Sequence, residues 1–199
     1  MMIVSIIVYV VALYLILKFV KNDILEVVGI LLLTMLIKVG VGEGSFYPLF
    51  CMPVLLALRY KRPYTLAYTA ISVLFVSYLQ GFGTWTYIQL GIYAVISLGT
   101  YALKNILNKQ NKIITLSYNF AVMFAVGVFM DIAMFYMGNF FGYPNVFVQI
   151  QMGIPFDIKY GMSGLMYGAI TMAAAYLSSV DVRDVLKVKK MTLEKVNNK

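Results

Sequence analysis

Long apolar segments alternate with short polar connections along this chain. The seven segments lie at about residues 2–20, 24–40, 46–60, 64–80, 85–105, 113–137 and 158–179. A helix needs about 20 residues to cross a bilayer, and six of the segments approach or reach that length. The third is short and contains Pro48 and Pro53, which predicts a broken or partly re-entrant element. The pattern therefore predicts an all-α helical bundle.

Composition decides what surrounds this bundle. Hydrophobic residues make up 62% of the 199 residues and charged residues 12%, whereas soluble domains have about 45–50% and about 25%. We therefore expect an all-α membrane protein that crosses the lipid bilayer seven times, or six times with one re-entrant piece.

The distribution of positive charge predicts the orientation. All lysines and arginines except Lys38 and Lys159 follow the first, third, fifth or seventh segment. Basic connections stay in the cytoplasm, so the N-terminus is expected outside and the C-terminus inside. The basic tail is interpreted as an anchor at an anionic leaflet, which accounts for the net charge of +8 without a nucleic-acid partner.

The outer connections are rich in glycine and in neutral polar and aromatic residues. They include "QGFGTWTYIQLG" at 80–91 and "GNFFGYPNVFVQIQMGIPFD" at 138–157. Amide, hydroxyl and ring groups of this kind suit a polar, partly aromatic small molecule arriving from outside. The side chains that we expect to bind it are Trp85, Gln89, Asn139, Gln151 and Asp157.

Two of these assignments have structural alternatives. Trp85 is also typical of an interfacial aromatic belt, which forms regardless of function. Gln89 lies about one helical turn from Trp85, so both side chains are able to face one cavity. Asp157 is equally suited to cap the last helix, because aspartate is a favoured N-cap residue.

Ionisable residues at membrane depth are few. Asp131 lies within the sixth segment, where a charge is costly and usually faces a cavity or a partner; its alternative is a structural hydrogen-bond acceptor. Lys38, near the outer surface, is a candidate partner for Asp131 or for a single anionic group of a ligand. The sequence has no histidine, one cysteine (Cys51) and no P-loop, so we expect no metal, no cofactor and no catalytic activity.

Three stretches resemble one family of membrane proteins. "LQGFGTWTYIQLGIYAVISLGTYAL" (79–103) is similar to the Gly-x-Gly-x-Trp-Thr segment, followed by Gln, of substrate-binding S components of energy-coupling factor (ECF) vitamin transporters. "QMGIPFDIKYGMSGLMYGAI" (151–170) resembles their Gly-[Leu/Ile]-Pro-Phe-Asp stretch, and "PVLLALRYKRPYTLAYTAI" (53–71) resembles their short second core helix, basic turn and third helix. The resemblance covers about residues 40–179. It implies an all-α membrane protein with six core transmembrane helices plus one extra N-terminal helix. The implied organisation is the extra helix at 1–22, an S-component-like membrane core at 23–180 and a basic cytoplasmic tail at 181–199.

This resemblance implies a function and partners. An S component captures a vitamin or related micronutrient on the outer face, then associates with a coupling membrane subunit and two cytoplasmic ATPase subunits. The resemblance adds Tyr160 to the candidate site, at a position where the family often has histidine. The family subgroup also favours a large amphipathic ligand such as a corrinoid.

Two other classes of protein remain as alternatives. The first is a non-catalytic membrane scaffold of similar fold, of the rod-shape determinant type, which needs no ligand cavity. The second is a lipid-modifying membrane enzyme, which the lack of histidine disfavours.

Overall fold

The computed structural model describes residues 2–41, 48–138 and 142–179. Within these ranges the chain forms seven α-helices and one 3-10 turn, without a β-strand, which confirms the all-α prediction. The elements are α1 (Met2–Phe19), α2 (Asp23–Val41), the 3-10 turn (Pro48–Phe50), α3 (Met52–Arg59), α4 (Arg62–Gln80), α5 (Thr84–Leu107), α6 (Lys112–Tyr136) and α7 (Val146–Ser179).

Five predicted segments agree with α1, α2, α4, α5 and α6 to within two residues at each end. Among the described helices, α5 and α6 are long and apolar enough to cross a membrane, and Ile6–Phe19 is a shorter apolar helix. Length and composition alone therefore give weak support for association with a membrane.

The third predicted segment is broken, as its prolines indicate. Pro48 opens the 3-10 turn and Pro53 lies in the first turn of α3, where a missing N–H costs no helical hydrogen bond. The eight residues of α3 extend about 12 Å, too little to cross a bilayer. Residues Met52 to Ala57 are buried, so α3 lies inside the bundle.

The last helix begins twelve residues earlier than the sequence indicates. Predicted from residue 158, α7 instead starts at Val146, and the side chain of Asn145 accepts a hydrogen bond from the backbone of Val148 at 3.0 Å. Asp157 lies in the helix interior, so the alternative that it caps this helix was wrong. Pro155 also lies inside α7. Interior proline is tolerated in membrane helices, because neighbouring groups satisfy the freed carbonyl.

The N-terminal helix is part of the central core. Tyr9 and Leu13 are both fully buried. The Tyr9 ring packs edge-on against Tyr167 of α7, with 5.2 Å between ring centroids, and its hydroxyl donates to the Met52 sulfur of α3 at 3.4 Å. α1 thus packs against both α3 and α7.

Helices α6 and α7 form the most extensive contact in the fold. Gly161 and Gly164 on α7 allow the close approach: a β-carbon at Gly161 would lie 2.7 Å from the Phe120 ring, and one at Gly164 2.8 Å from Met123 Cγ. The buried Asn119 side chain donates to the Gly164 carbonyl at 2.8 Å. This contact holds the two helices in a fixed register next to the candidate site.

Contacts between helix ends bring three connections to one end of the bundle. Arg59, at the end of α3, forms an ion pair of 2.7 Å with Glu26 in the first turn of α2. Lys104, in the last turn of α5, donates to the Tyr60 carbonyl between α3 and α4 at 3.0 Å. The start of α2 and the ends of α3 and α5 therefore lie together.

We call this the basic end; it carries the connections at 20–22, 60–61 and 108–111. The opposite end, which we call the neutral end, carries residues 81–83 and 142–145, none of them charged. Residues 42–47, between α2 and the 3-10 turn, and the basic tail fall outside the described residues.

Candidate functional site

A cavity of about 380 Å³ opens between α5, α6 and α7 near the neutral end. It lies close to the first turns of α5 and α7 and the last turns of α6. Its lining combines two carboxylates, two amides and four aromatic rings with small and flexible residues. The lining residues are Gln89, Tyr93, Val126, Gly127, Met130, Asp131, Tyr143, Gln149, Met152, Gly153, Phe156, Asp157 and Tyr160.

One face of α7 supplies nearly half of this lining. Gln149, Gly153, Asp157 and Tyr160 are separated by steps of three or four residues, which is the spacing of one helical face. Gln151 lies two positions from Gln149, about 200° around the helix, and its side chain is exposed. The early start of α7 therefore decides which glutamine enters the cavity.

Two aspartates fit against two glycines across the α6–α7 contact. The Asp131 carboxylate of α6 occupies the space that a β-carbon at Gly153 would need, and the Asp157 carboxylate of α7 does the same at Gly127. Each helix carries the pattern Gly-x-x-x-Asp, as "GVFMD" at 127–131 and "GIPFD" at 153–157. Because α6 and α7 run antiparallel, each aspartate faces the other helix's glycine.

Four oxygen atoms in this lining are buried without a hydrogen-bond partner among the described residues. They are Gln89 Oε1, Asp131 Oδ2, Gln149 Oε1 and Asp157 Oδ2. Asp157 is 2% exposed and Gln149 3%. A buried acceptor without a donor costs about 1–3 kcal/mol, so four in one cavity indicate a site for a donor from outside the chain.

The orientation of the Gln149 amide is set by the α6 backbone. Its Nε2 donates to the Asp131 carbonyl at 2.8 Å. An amide whose nitrogen is held by a carbonyl presents its oxygen elsewhere. Gln149 Oε1 therefore has no hydrogen-bond partner among the described residues.

Aromatic rings form the remaining wall of the cavity. Tyr93 is buried and stacks on Phe50 of the 3-10 turn, with ring centroids 4.9 Å apart and planes inclined by 19°. The broken third segment thereby supports a ring of the site. Tyr143, Phe156 and Tyr160 complete the aromatic lining. Flat faces of this kind bind aromatic groups or cations.

The cavity brings together four of the residues expected to bind a ligand. Gln89 comes from α5, Asp131 from α6, and Asp157 and Tyr160 from α7. Their separation in sequence is large, but the antiparallel helices place them in one lining.

The other predicted residues lie elsewhere. Trp85 is half-buried beside the α4–α5 turn, where a β-carbon at Gly83 would lie 2.8 Å from its ring. Gln151 is exposed, and Lys38 is buried in the last turn of α2; neither lines the cavity. Asn139 falls outside the described residues.

Sequence reasoning missed the residues that complete the site. Gln149 and Phe156 lay within a stretch expected to be a loop, where side-chain direction has no helical period. Gly127 and Gly153 were not recognised as partners of the aspartates. The repeated Gly-x-x-x-Asp spacing was the available signal, because i and i+4 positions share a helical face.

Comparison with family models, with curated proteins and with solved structures finds no match for this chain. The resemblance to S components therefore rests on the sequence motifs alone.

Proposed function

We propose that this chain is the membrane-embedded substrate-capture subunit of an ECF-type importer and binds a vitamin or related micronutrient on the outer face. The observation that carries the proposal is the cavity near the neutral end, with buried polar atoms that lack partners among the described residues. The two motifs similar to S components contribute Gln89 and Asp157 to its lining.

The proposed topology has six core transmembrane helices and one additional N-terminal helix, with the N-terminus outside and the C-terminus in the cytoplasm. Clustering of Arg59 and Lys104 at the basic end supports it, because basic connections stay in the cytoplasm. The third passage would combine the 3-10 turn with α3, which alone is too short to cross, and neighbouring helices would satisfy the backbone where the passage is broken. The neutral end, with the cavity, then faces outward.

The pattern of burial supports several membrane crossings. In α4, four small hydroxyl side chains lie inside the bundle beside Tyr68, Val73 and Val76, while large apolar side chains are exposed, whereas a helix in water exposes polar side chains. The buried residues include Thr65, Thr69, Ser72 and Ser77, and the exposed ones Ile71, Leu74 and Leu79. An apolar solvent stabilises this arrangement.

The proposed partners follow from the resemblance and from the absence of a P-loop in the sequence. A coupling membrane subunit and two cytoplasmic ATPase subunits would supply the energy for transport. A scaffold of the rod-shape determinant type would gain nothing from a cavity whose polar atoms lack partners.

A second candidate function is favoured by one observation. Asp131 and Asp157 line one cavity, and a carboxylate pair is able to serve acid–base chemistry. A lipid-modifying enzyme predicts that Asp131→Asn abolishes formation of a product while ligand binding persists. If the chain only captures a ligand, neither the wild type nor the Asp131→Asn variant forms a product.

Binding of vitamins to the purified, detergent-solubilised chain tests the proposal. The panel contains cobalamin, riboflavin, thiamine, folate, biotin and their precursors, and equilibrium dialysis measures the bound fraction. We expect one member or a closely related group to bind at one molecule per chain. Absence of binding across the whole panel would refute capture of a vitamin.

A further inference from the structure

We propose that the cavity selects a compact organic cation, an aromatic body bearing a protonated amine, over neutral or anionic molecules of the same shape. This inference rests on the proposed capture function and specifies the substrate class of that site. It is carried by four unpartnered acceptor oxygens and aromatic walls in one lining.

The charged groups of the lining are both carboxylates, and its donors are neutral ones, on the tyrosines and the glutamine amides. Asp157 and Gln149 line the cavity, are both more than nine-tenths buried, and each has an oxygen without a partner among the described residues. The Gln149 nitrogen is held by the Asp131 carbonyl. No lysine or arginine is among the lining residues. A protonated amine has several N–H donors and no acceptor on nitrogen, so it complements these oxygens.

The charges of the lining also favour a cation. Two carboxylates close together in an apolar setting repel each other and are costly when unpaired, so a cation between them is stabilised. Of the basic residues on nearby helices, Lys159 is exposed with its ammonium 5.2 Å from the centroid of the Phe156 ring. Lys38 is buried in α2, outside the lining. A ligand carboxylate would face two like charges, with no cation among the lining residues to offset them.

Size and ring content distinguish an organic cation from a metal ion. The cavity of about 380 Å³ is near the lower end of the range for small-molecule sites, about 300–1,000 Å³, and is better suited to a single-ring or two-ring molecule than to a corrinoid. Among the described residues, no group of three or more His, Cys, Asp or Glu side chains is arranged to hold a metal. Tyr143, Phe156 and Tyr160 provide the faces on which a cationic aromatic amine stacks.

Three probes with one indole body and different head groups test this selection. They are tryptamine, tryptophol and indole-3-acetate, which are cationic, neutral and anionic at neutral pH. Equilibrium binding and the melting temperature of the purified full chain are measured with each, and with sodium or calcium chloride alone. We expect tryptamine to bind at least about tenfold more tightly than tryptophol, because its hydrogen bonds are charge-assisted, and indole-3-acetate not to bind.

Variants assign the selection to the cavity. Asp157→Asn is expected to weaken tryptamine binding about tenfold or more and to weaken tryptophol binding by a smaller factor, so that the preference for the cation falls. Asp131→Asn serves as a second variant if Asp157→Asn fails to fold. Asp23→Asn makes the same chemical change at an exposed position in the first turn of α2 and should alter neither affinity.

Each remaining outcome counts against the proposed ligand class. Equal or tighter binding of indole-3-acetate, binding of none of the three probes, or stabilisation by the inorganic salts alone would overturn selection of an organic cation. Capture of a vitamin is judged separately by the panel above. A neutral or anionic vitamin bound there would leave capture standing and refute only the charge preference.

Discussion

Gln149 and Gln151 stand two positions apart in α7, and their side chains meet opposite environments. Gln149 is buried, donates to the Asp131 carbonyl and has a free oxygen in the cavity. Gln151 is exposed on the other side of the helix. The two residues are therefore a matched pair for asking whether the cavity is the site of binding.

We predict that Gln149→Leu weakens binding of the captured vitamin by about 1–3 kcal/mol, because it removes an acceptor and leaves the Asp131 carbonyl without its donor. Gln151→Leu is expected to change the binding free energy by less than about 0.5 kcal/mol. Isothermal titration of the two purified variants measures the difference. A larger loss for Gln151→Leu would mean that the ligand binds outside this cavity.

At the scale of elements, the α6–α7 pair positions both carboxylates. Asp131 fits over Gly153, and Asp157 fits over Gly127. Each glycine has to lack a side chain for the opposing carboxylate to remain in place. The same glycines therefore set both the packing of the two helices and the positions of the two carboxylates.

We predict that Gly127→Ala and Gly153→Ala each destabilise the chain by about 1–3 kcal/mol, as overpacking of a tight contact does, and also impair ligand binding. Gly91→Ala in α5 is the matched control, because nothing lies within 4 Å of its β-carbon position. Thermal unfolding in detergent and vitamin binding are the two readouts. Equal melting temperatures for Gly91→Ala and Gly153→Ala would argue against the interlocked contact.

The elements of this fold differ in how far the sequence predicts them. The apolar length of α1, α2, α4, α5 and α6 is a local signal, and these helices were predicted closely. The start of α7 was not, because "GYPNVFVQIQMGIPFD" contains residues typical of loops and its helix depends on packing against α6. The reciprocal fit of Asp157 and Gly127 is a tertiary contact, so their pairing could not be derived from either helix alone.

In the whole molecule, capture of a ligand from outside requires the cavity and the basic connections to face opposite sides of the membrane. Met152 is 58% exposed at the cavity. Gln110 is exposed in the α5–α6 turn of the basic end. The natural cysteine, Cys51, is buried and should not react with a polar reagent. A cysteine introduced at Met152 or at Gln110 therefore reports on which side of the membrane that position lies.

Labelling of intact cells with a membrane-impermeant maleimide tests whether the cavity opens on the outer face of the membrane. We predict that Met152→Cys is labelled in intact cells and protected by the bound vitamin, that Gln110→Cys is labelled only after permeabilisation, and that the wild-type chain stays unlabelled. Labelling of Gln110→Cys from outside, with Met152→Cys reached only after permeabilisation, would contradict capture of a ligand at the outer face.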